Sequence, residues 1–159
     1  MKIAVYDEIH GSAELEVQEL AGLGPMQLRA EERIPGVTGK AFDLMAWYEA
    51  WCRIRKGSVL QNPTRLQVEA ADEFQASVPW NELGQAMFLY AQENGEPLQK
   101  GYPIRLYVPD GSSECLNVKS VVRIRFDYGN SEDLTATYGF KNVVSPDQLK
   151  KGKAPNSNT

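Results

Sequence analysis

The chain has 159 residues and a formal net charge of −4; 42% of its residues are apolar and 24% charged. A chain of this length fits one domain and buries about two thirds of its unfolded surface, so folding requires neither a disulfide nor a metal. The acidic balance, with a pI of about 5.1, argues against nucleic acid or an anionic membrane as the main partner, because both are polyanions.

Cys52 and Cys115 do not form a C-x-x-C pair, so neither zinc nor thioredoxin-like redox chemistry is indicated, and both read as free thiols. The N-terminus turns acidic at Asp7-Glu8, before an apolar run reaches signal-peptide length. No stretch approaches the roughly 20 apolar residues of a membrane span. The expectation is a cytoplasmic protein.

Residues 1–6 alternate as a short strand, and Leu15 and Val17 continue that pattern. Residues 18–23 suggest one helical turn closed by Gly24-Pro25, and residues 26–33 another strand. A Pro/Gly-rich loop, residues 34–39, leads to the clearest helix, over residues 41–54. There Phe42, Met45, Trp47, Tyr48, Trp51 and Cys52 recur at three- and four-residue steps as an apolar stripe. Large aromatics on one face mark core rather than a cofactor box.

Residues 64–70 alternate cleanly, with Leu66, Val68 and Ala70 opposite Arg65, Gln67 and Glu69. Residues 74–78 continue or partner that strand. Pro79 suits a first helical turn, with Ser77 as a candidate cap, so residues 80–85 read as a short helix. Residues 87–91 and 104–108 read as strands separated by the Asn94-Gly95 reversal. Residues 118–127 form the last strong strand, with Val118, Val122, Ile124 and Phe126 on one face and Lys119, Arg123 and Arg125 on the other. Residues 133–149 carry only a weak pattern, and residues 150–159 read as a flexible tail with little to bury. The sum is an α+β fold: a mixed β-sheet with a few short helices, one domain over residues 1–149.

Three pieces then occur in a telling order: Ala71-Asp72-Glu73-Phe74-Gln75-Ala76-Ser77-Val78-Pro79; Leu89-Tyr90-Ala91 followed by Asn94-Gly95-Glu96-Pro97-Leu98; and Tyr102-Pro103-Ile104-Arg105-Leu106-Tyr107-Val108-Pro109 followed by Asn117-Val118-Lys119-Ser120. Leu15-Glu16-Val17-Gln18-Glu19-Leu20 and Gly39-Lys40-Ala41-Phe42-Asp43-Leu44 add two earlier ones. Together, over residues 13–127, they resemble the oxidoreductase molybdopterin-binding domain family, the fold of sulfite oxidase. The resemblance implies a sulfite-oxidase-like fold and molybdopterin as the cofactor to consider.

The departures bear on function. The family's molybdenum-ligating cysteine precedes the Gly39 helix entry, but here Leu28-Arg29-Ala30-Glu31-Glu32-Arg33 holds no sulfur, and a carboxylate is a poor substitute for a soft ligand. Where the family has His-Gly, this chain has Lys100-Gly101, and Ser120 stands for the family's tryptophan. His10 is remote in sequence from all of these pieces. What the resemblance does carry over is a cofactor-binding set of Asp72, Ser77, Cys115, Asn117 and Lys119. Turn amides and a lysine make an anion site; the same residues also read as a turn aspartate, a half-buried loop and a solvated strand charge. Arg105, Arg123 and Arg125 read either as a basic strip suited to an anion or as an ordinary solvated face.

No nucleophile elbow, P-loop or H-E-x-x-H is present, so neither a catalytic residue nor a metal ligand is assigned. Two functions remain. The first is a binding or scaffold protein on an inherited fold, with a pterin or a small anion as ligand. The second is a molybdopterin-dependent oxidoreductase, or a molybdopterin-binding protein using the Cys115–Lys119 loop.

Overall fold

A computed structural model describes residues 1–129 and 135–141. The tail over residues 150–159, and most of the weakly patterned stretch before it, lie outside the described residues. The elements are β1 (Lys2–Asp7), β2 (Gly11–Glu16), α1 (Val17–Gly22), β3 (Gln27–Arg29), β4 (Lys40–Asp43), α2 (Leu44–Lys56), β5 (Arg65–Ala70), β6 (Phe74–Pro79), β7 (Met87–Ala91), β8 (Arg105–Tyr107), β9 (Val121–Asp127) and β10 (Thr137–Phe140). Single 3-10 turns occur at Ala30–Glu32, Trp80–Glu82 and Glu114–Leu116. Among the described residues no helix is long and apolar enough to cross a membrane.

Two sheets result, of order β10-β6-β5-β9-β1-β2 and β3-β4-β7-β8. The larger is mixed, because β1 runs parallel to β9 while its other pairs are antiparallel. The expected α+β class with a mixed sheet and few helices is therefore what the chain adopts.

The main core lies on the inner face of the larger sheet, where Ile3, Val5, Leu66, Val68, Ala76, Val78, Ile124 and Phe126 meet the aromatic stripe of α2. Trp47 stacks on Trp51 and Phe126 at centroid distances of 5.5 and 6.0 Å. The four-stranded sheet is buried on both faces. Phe42 and Phe88 join the main core, while Ala41, Met87, Leu89 and Tyr107 join a second cluster. That is why residues 87–91 read as an unbroken apolar run rather than an alternation.

Several boundaries differ from expectation for physical reasons. The helix begins at Leu44, not at residue 41. Lys40–Asp43 is drawn into a strand pairing with β3 and β7, and Asp43 caps α2 by accepting from the Ala46 amide at 2.8 Å. Gly39 enters β4 at φ +126°, and a Cβ there would lie 2.5 Å from the Ala91 carbonyl oxygen, so only glycine fits. Val17 opens α1 instead of continuing a strand, and the strand expected over residues 26–33 stops at Arg29 in a 3-10 turn. Past Pro79 only one 3-10 turn forms, and Ser77 caps nothing, because its hydroxyl oxygen accepts from Arg65 Nε at 2.7 Å. The strand expected over residues 118–127 begins at Val121. Ser120, at φ +56°, breaks it, and Val118 forms only an isolated bridge with Leu106.

Candidate functional site

Successive side chains of a strand alternate faces, and neighbouring strands lie about 4.8 Å apart. The face of the larger sheet away from the core therefore carries its polar residues in rows set by strand register. One row crosses five strands: Tyr6 opposite Arg125, Arg125 opposite Gln67, Gln67 opposite Ser77, Ser77 opposite Thr137. A second runs Arg123, Glu69, Gln75. These residues and Lys141 line a cleft of about 640 Å³.

The two rows differ in how they satisfy themselves. In the second, Glu69 accepts from Arg123 Nη1 at 3.0 Å and from Gln75 Nε2 at 3.2 Å. In the first, Arg125 lies over the Tyr6 ring at 5.4 Å and Ser77 accepts from Arg65, while the side chains of Gln67 and Thr137 make no hydrogen bond among the described residues. Among the described residues lining the cleft, Arg123, Arg125 and Lys141 face a single carboxylate, Glu69. The cleft is thus locally basic in a chain of net charge −4.

Of the residues singled out from sequence, Ser77 lies on this cleft. Asp72 sits in the exposed β5–β6 turn, where its Oδ1 accepts from the Phe74 amide at 3.1 Å. Exposed Lys119 precedes a turn tied to that hairpin and to Gly101: the Ala71 amide donates to the Ser120 carbonyl at 2.9 Å, and the Ser120 amide to the Gly101 carbonyl at 3.2 Å. Asp72, Lys119 and Lys100-Gly101 therefore share one end of the molecule. Cys115 is exposed on its 3-10 turn, with its amide donating to Ser113 Oγ at 3.1 Å. Asn117 Oδ1 accepts from the Val108 amide at 2.8 Å. Among the described residues no hydrogen bond or ion pair joins the side chains of the five directly. Arg105 does not extend the strip of Arg123 and Arg125; it lies on β8 of the other sheet, over Tyr107 at 5.1 Å.

The thiols differ sharply. Cys52 is fully buried in α2, and burial pushes its thiol up. DTNB is expected to modify only Cys115 in the native protein and both cysteines after denaturation. Rapid native reaction of two thiols per chain would contradict this packing.

Sequence reasoning missed a buried polar network at the other end of β1. Asp7 and His10 are each 1% exposed. Asp7 Oδ1 accepts from the amides of Ile9 and His10 at 3.0 and 2.9 Å, and Oδ2 accepts from Trp51 Nε1 at 2.9 Å and His10 Nδ1 at 3.1 Å. Tyr48 donates to the Gln61 carbonyl at 2.9 Å, so the Tyr128 hydroxyl donates to Tyr48 at 2.7 Å. Nδ1 of His10 then donates to both Asp7 and Tyr128, the latter at 3.2 Å. Its Nε2 is buried without a hydrogen-bond partner among the described residues. Burial, first of all, pushes both phenols well above the ordinary tyrosine range. The only sequence signal was an aspartate three residues before the single histidine at a strand end. The partners, Trp51 and Tyr128, lie 44 and 118 residues away from Asp7 and His10 respectively.

Among the described residues, no group of three or more His, Cys, Asp or Glu side chains is placed to hold a metal ion. Comparison with protein families matches residues 53–134 to the model described as the oxidoreductase molybdopterin binding domain, just over half of the 159 residues. The match runs from the last turns of α2 through β9. It takes in the three later motif pieces and leaves out the two earlier ones. No curated protein matches the chain.

Proposed function

Because the chain belongs to the oxidoreductase molybdopterin-binding domain family, we propose that it serves as a binding domain of that family, receiving a small anionic ligand in the sheet-face cleft and performing no molybdenum chemistry. Within the family we place it as a divergent, sulfite-oxidase-like member, on the motif order from Asp72 to Lys119.

The observation that carries this reading is the charge inversion in the cleft. Arg125, Arg123 and Lys141 converge beside Ser77 with one carboxylate among the described lining residues, on the face not used for the core. Guanidinium and hydroxyl donors on adjacent strands are suited to a phosphate or a carboxylate.

Molybdenum fits less well. Its soft ligand would have to come from sulfur, yet Gln27–Arg29 and the turn after it supply none. Cys52 is sealed in the core, and Cys115 stands alone at the surface. A pterin phosphate has better support, from the shared end that holds Asp72, Lys119 and Lys100-Gly101.

Calorimetry with inorganic phosphate tests the proposal. Arg125→Ala is expected to weaken binding roughly 10- to 100-fold, the loss of one charge-assisted contact worth about 1.5–3 kcal/mol. In parallel, protein from a host that makes the cofactor is analysed for molybdenum and for pterin fluorescence in the heat-released fraction. Stoichiometric molybdenum there would overturn the reading.

A further inference from the structure

The register of the cleft, more than its charge, narrows the ligand. Resting on the anion-binding reading above, we propose that the ligand is a phosphorylated sugar, with its phosphate at Arg125 and its hydroxyls along Gln67, Ser77 and Thr137.

Register places these residues side by side on four successive strands. The row from Arg125 to Thr137 spans three strand spacings, about 14 Å. A compact anion at Arg125 would leave most of that length unused, and a cleft of about 640 Å³ lies in the ordinary range for sites that hold a whole small molecule.

The chemistry along the row is graded. Its only charged member is Arg125. The three beyond it are neutral, and each can both donate and accept, as a hydroxyl does. They are also available. Gln67 and Thr137 have no side-chain partner among the described residues, and Ser77, accepting from Arg65 Nε, keeps its own hydroxyl hydrogen to give. The neighbouring row offers a contrast within the same cleft: Arg123, Glu69 and Gln75 are closed on one another. A row of one cation and three two-way hydrogen bonders, each with donor capacity to spare, beside a self-satisfied row suits a polyhydroxylated anion.

The test compares glucose 6-phosphate with inorganic phosphate by calorimetry on the full chain. Glucose 6-phosphate is expected to bind at least ten-fold tighter. Gln67→Met and Thr137→Val, near-isosteric changes on the solvent face, should each weaken glucose 6-phosphate several-fold and leave phosphate unchanged; Arg125→Ala should weaken both. Circular dichroism and a cooperative melt verify that each variant folds. Equal affinity for the two ligands, with Gln67→Met and Thr137→Val changing neither, overturns the sugar assignment and leaves the anion site standing. Binding of neither ligand overturns both.

Discussion

Replacing Asp7 with alanine is expected to cost the protein about 3–5 kcal/mol, because it strands buried partners rather than removing one contact. The carboxylate accepts from two backbone amides through Oδ1 and from Trp51 Nε1 and His10 Nδ1 through Oδ2. The two side-chain donors cannot turn to water, since His10 and Trp51 are 1% and 2% exposed. Asp7→Asn keeps one oxygen for the amides but points an N–H at two other N–H groups, so most of the loss should remain. Urea unfolding reads the change as a lower midpoint at unchanged slope. A cost for Asp7→Ala below about 1 kcal/mol would mean that the cluster is far more hydrated than its burial implies.

Trp47→Ala is expected to cost a similar amount, about 3–5 kcal/mol, through a different mechanism. Trp47 sits where α2 meets both sheets. It stacks on Trp51 with an interplanar angle of 14° and on Phe126 at 19°, and it touches Phe42 at 6.5 Å. Its Nε1 also donates to the Leu20 carbonyl at 2.7 Å, which ties α1 to α2. Truncation leaves a cavity lined by rigid rings that relax poorly, and it removes the tie to the Leu20 carbonyl. Trp47→Phe should recover most of the packing and lose the hydrogen bond, at about 1 kcal/mol. Near-UV circular dichroism, dominated by the stacked indoles, should collapse in the alanine variant. An alanine variant as stable as the parent would remove Trp47 from the centre of the core.

What could be read from sequence was whatever depends on neighbours along the chain. Leu66, Val68 and Ala70 fix β5 because each strand residue announces its face at a spacing of two. The aromatic stripe of α2 was equally plain, yet its start was misplaced. Phe42 fits the helical spacing and also the strand that pairs with β7, and only the tertiary partner decides between them. Ser120 broke a pattern that apolar spacing alone extended back to Val118. The cleft was half legible. Arg123 and Arg125 share a face by alternation, and Ser77 came from the family motif. That Gln67 and Thr137 join them was not legible, because a row across a sheet is made by register between segments far apart in sequence, here Ser77 with Thr137 and Tyr6 with Arg125. The Asp7–His10 network escaped for the same reason.

The position of β9 carries a consequence for synthesis. It joins β1 to β5 in the larger sheet, and the parallel register places Ala4 beside Arg123. A nascent chain that has emerged only as far as residue 120 therefore holds the β1–β2 hairpin and the β5–β6 pair with their facing edges open. Pairing between ends this distant in sequence closes slowly, and open edges recruit other chains. The interval before residues 121–127 leave the ribosome is then the point in the protein's life at which it is most exposed to aggregation, and where a chaperone that shields strand edges would have the greatest effect on yield.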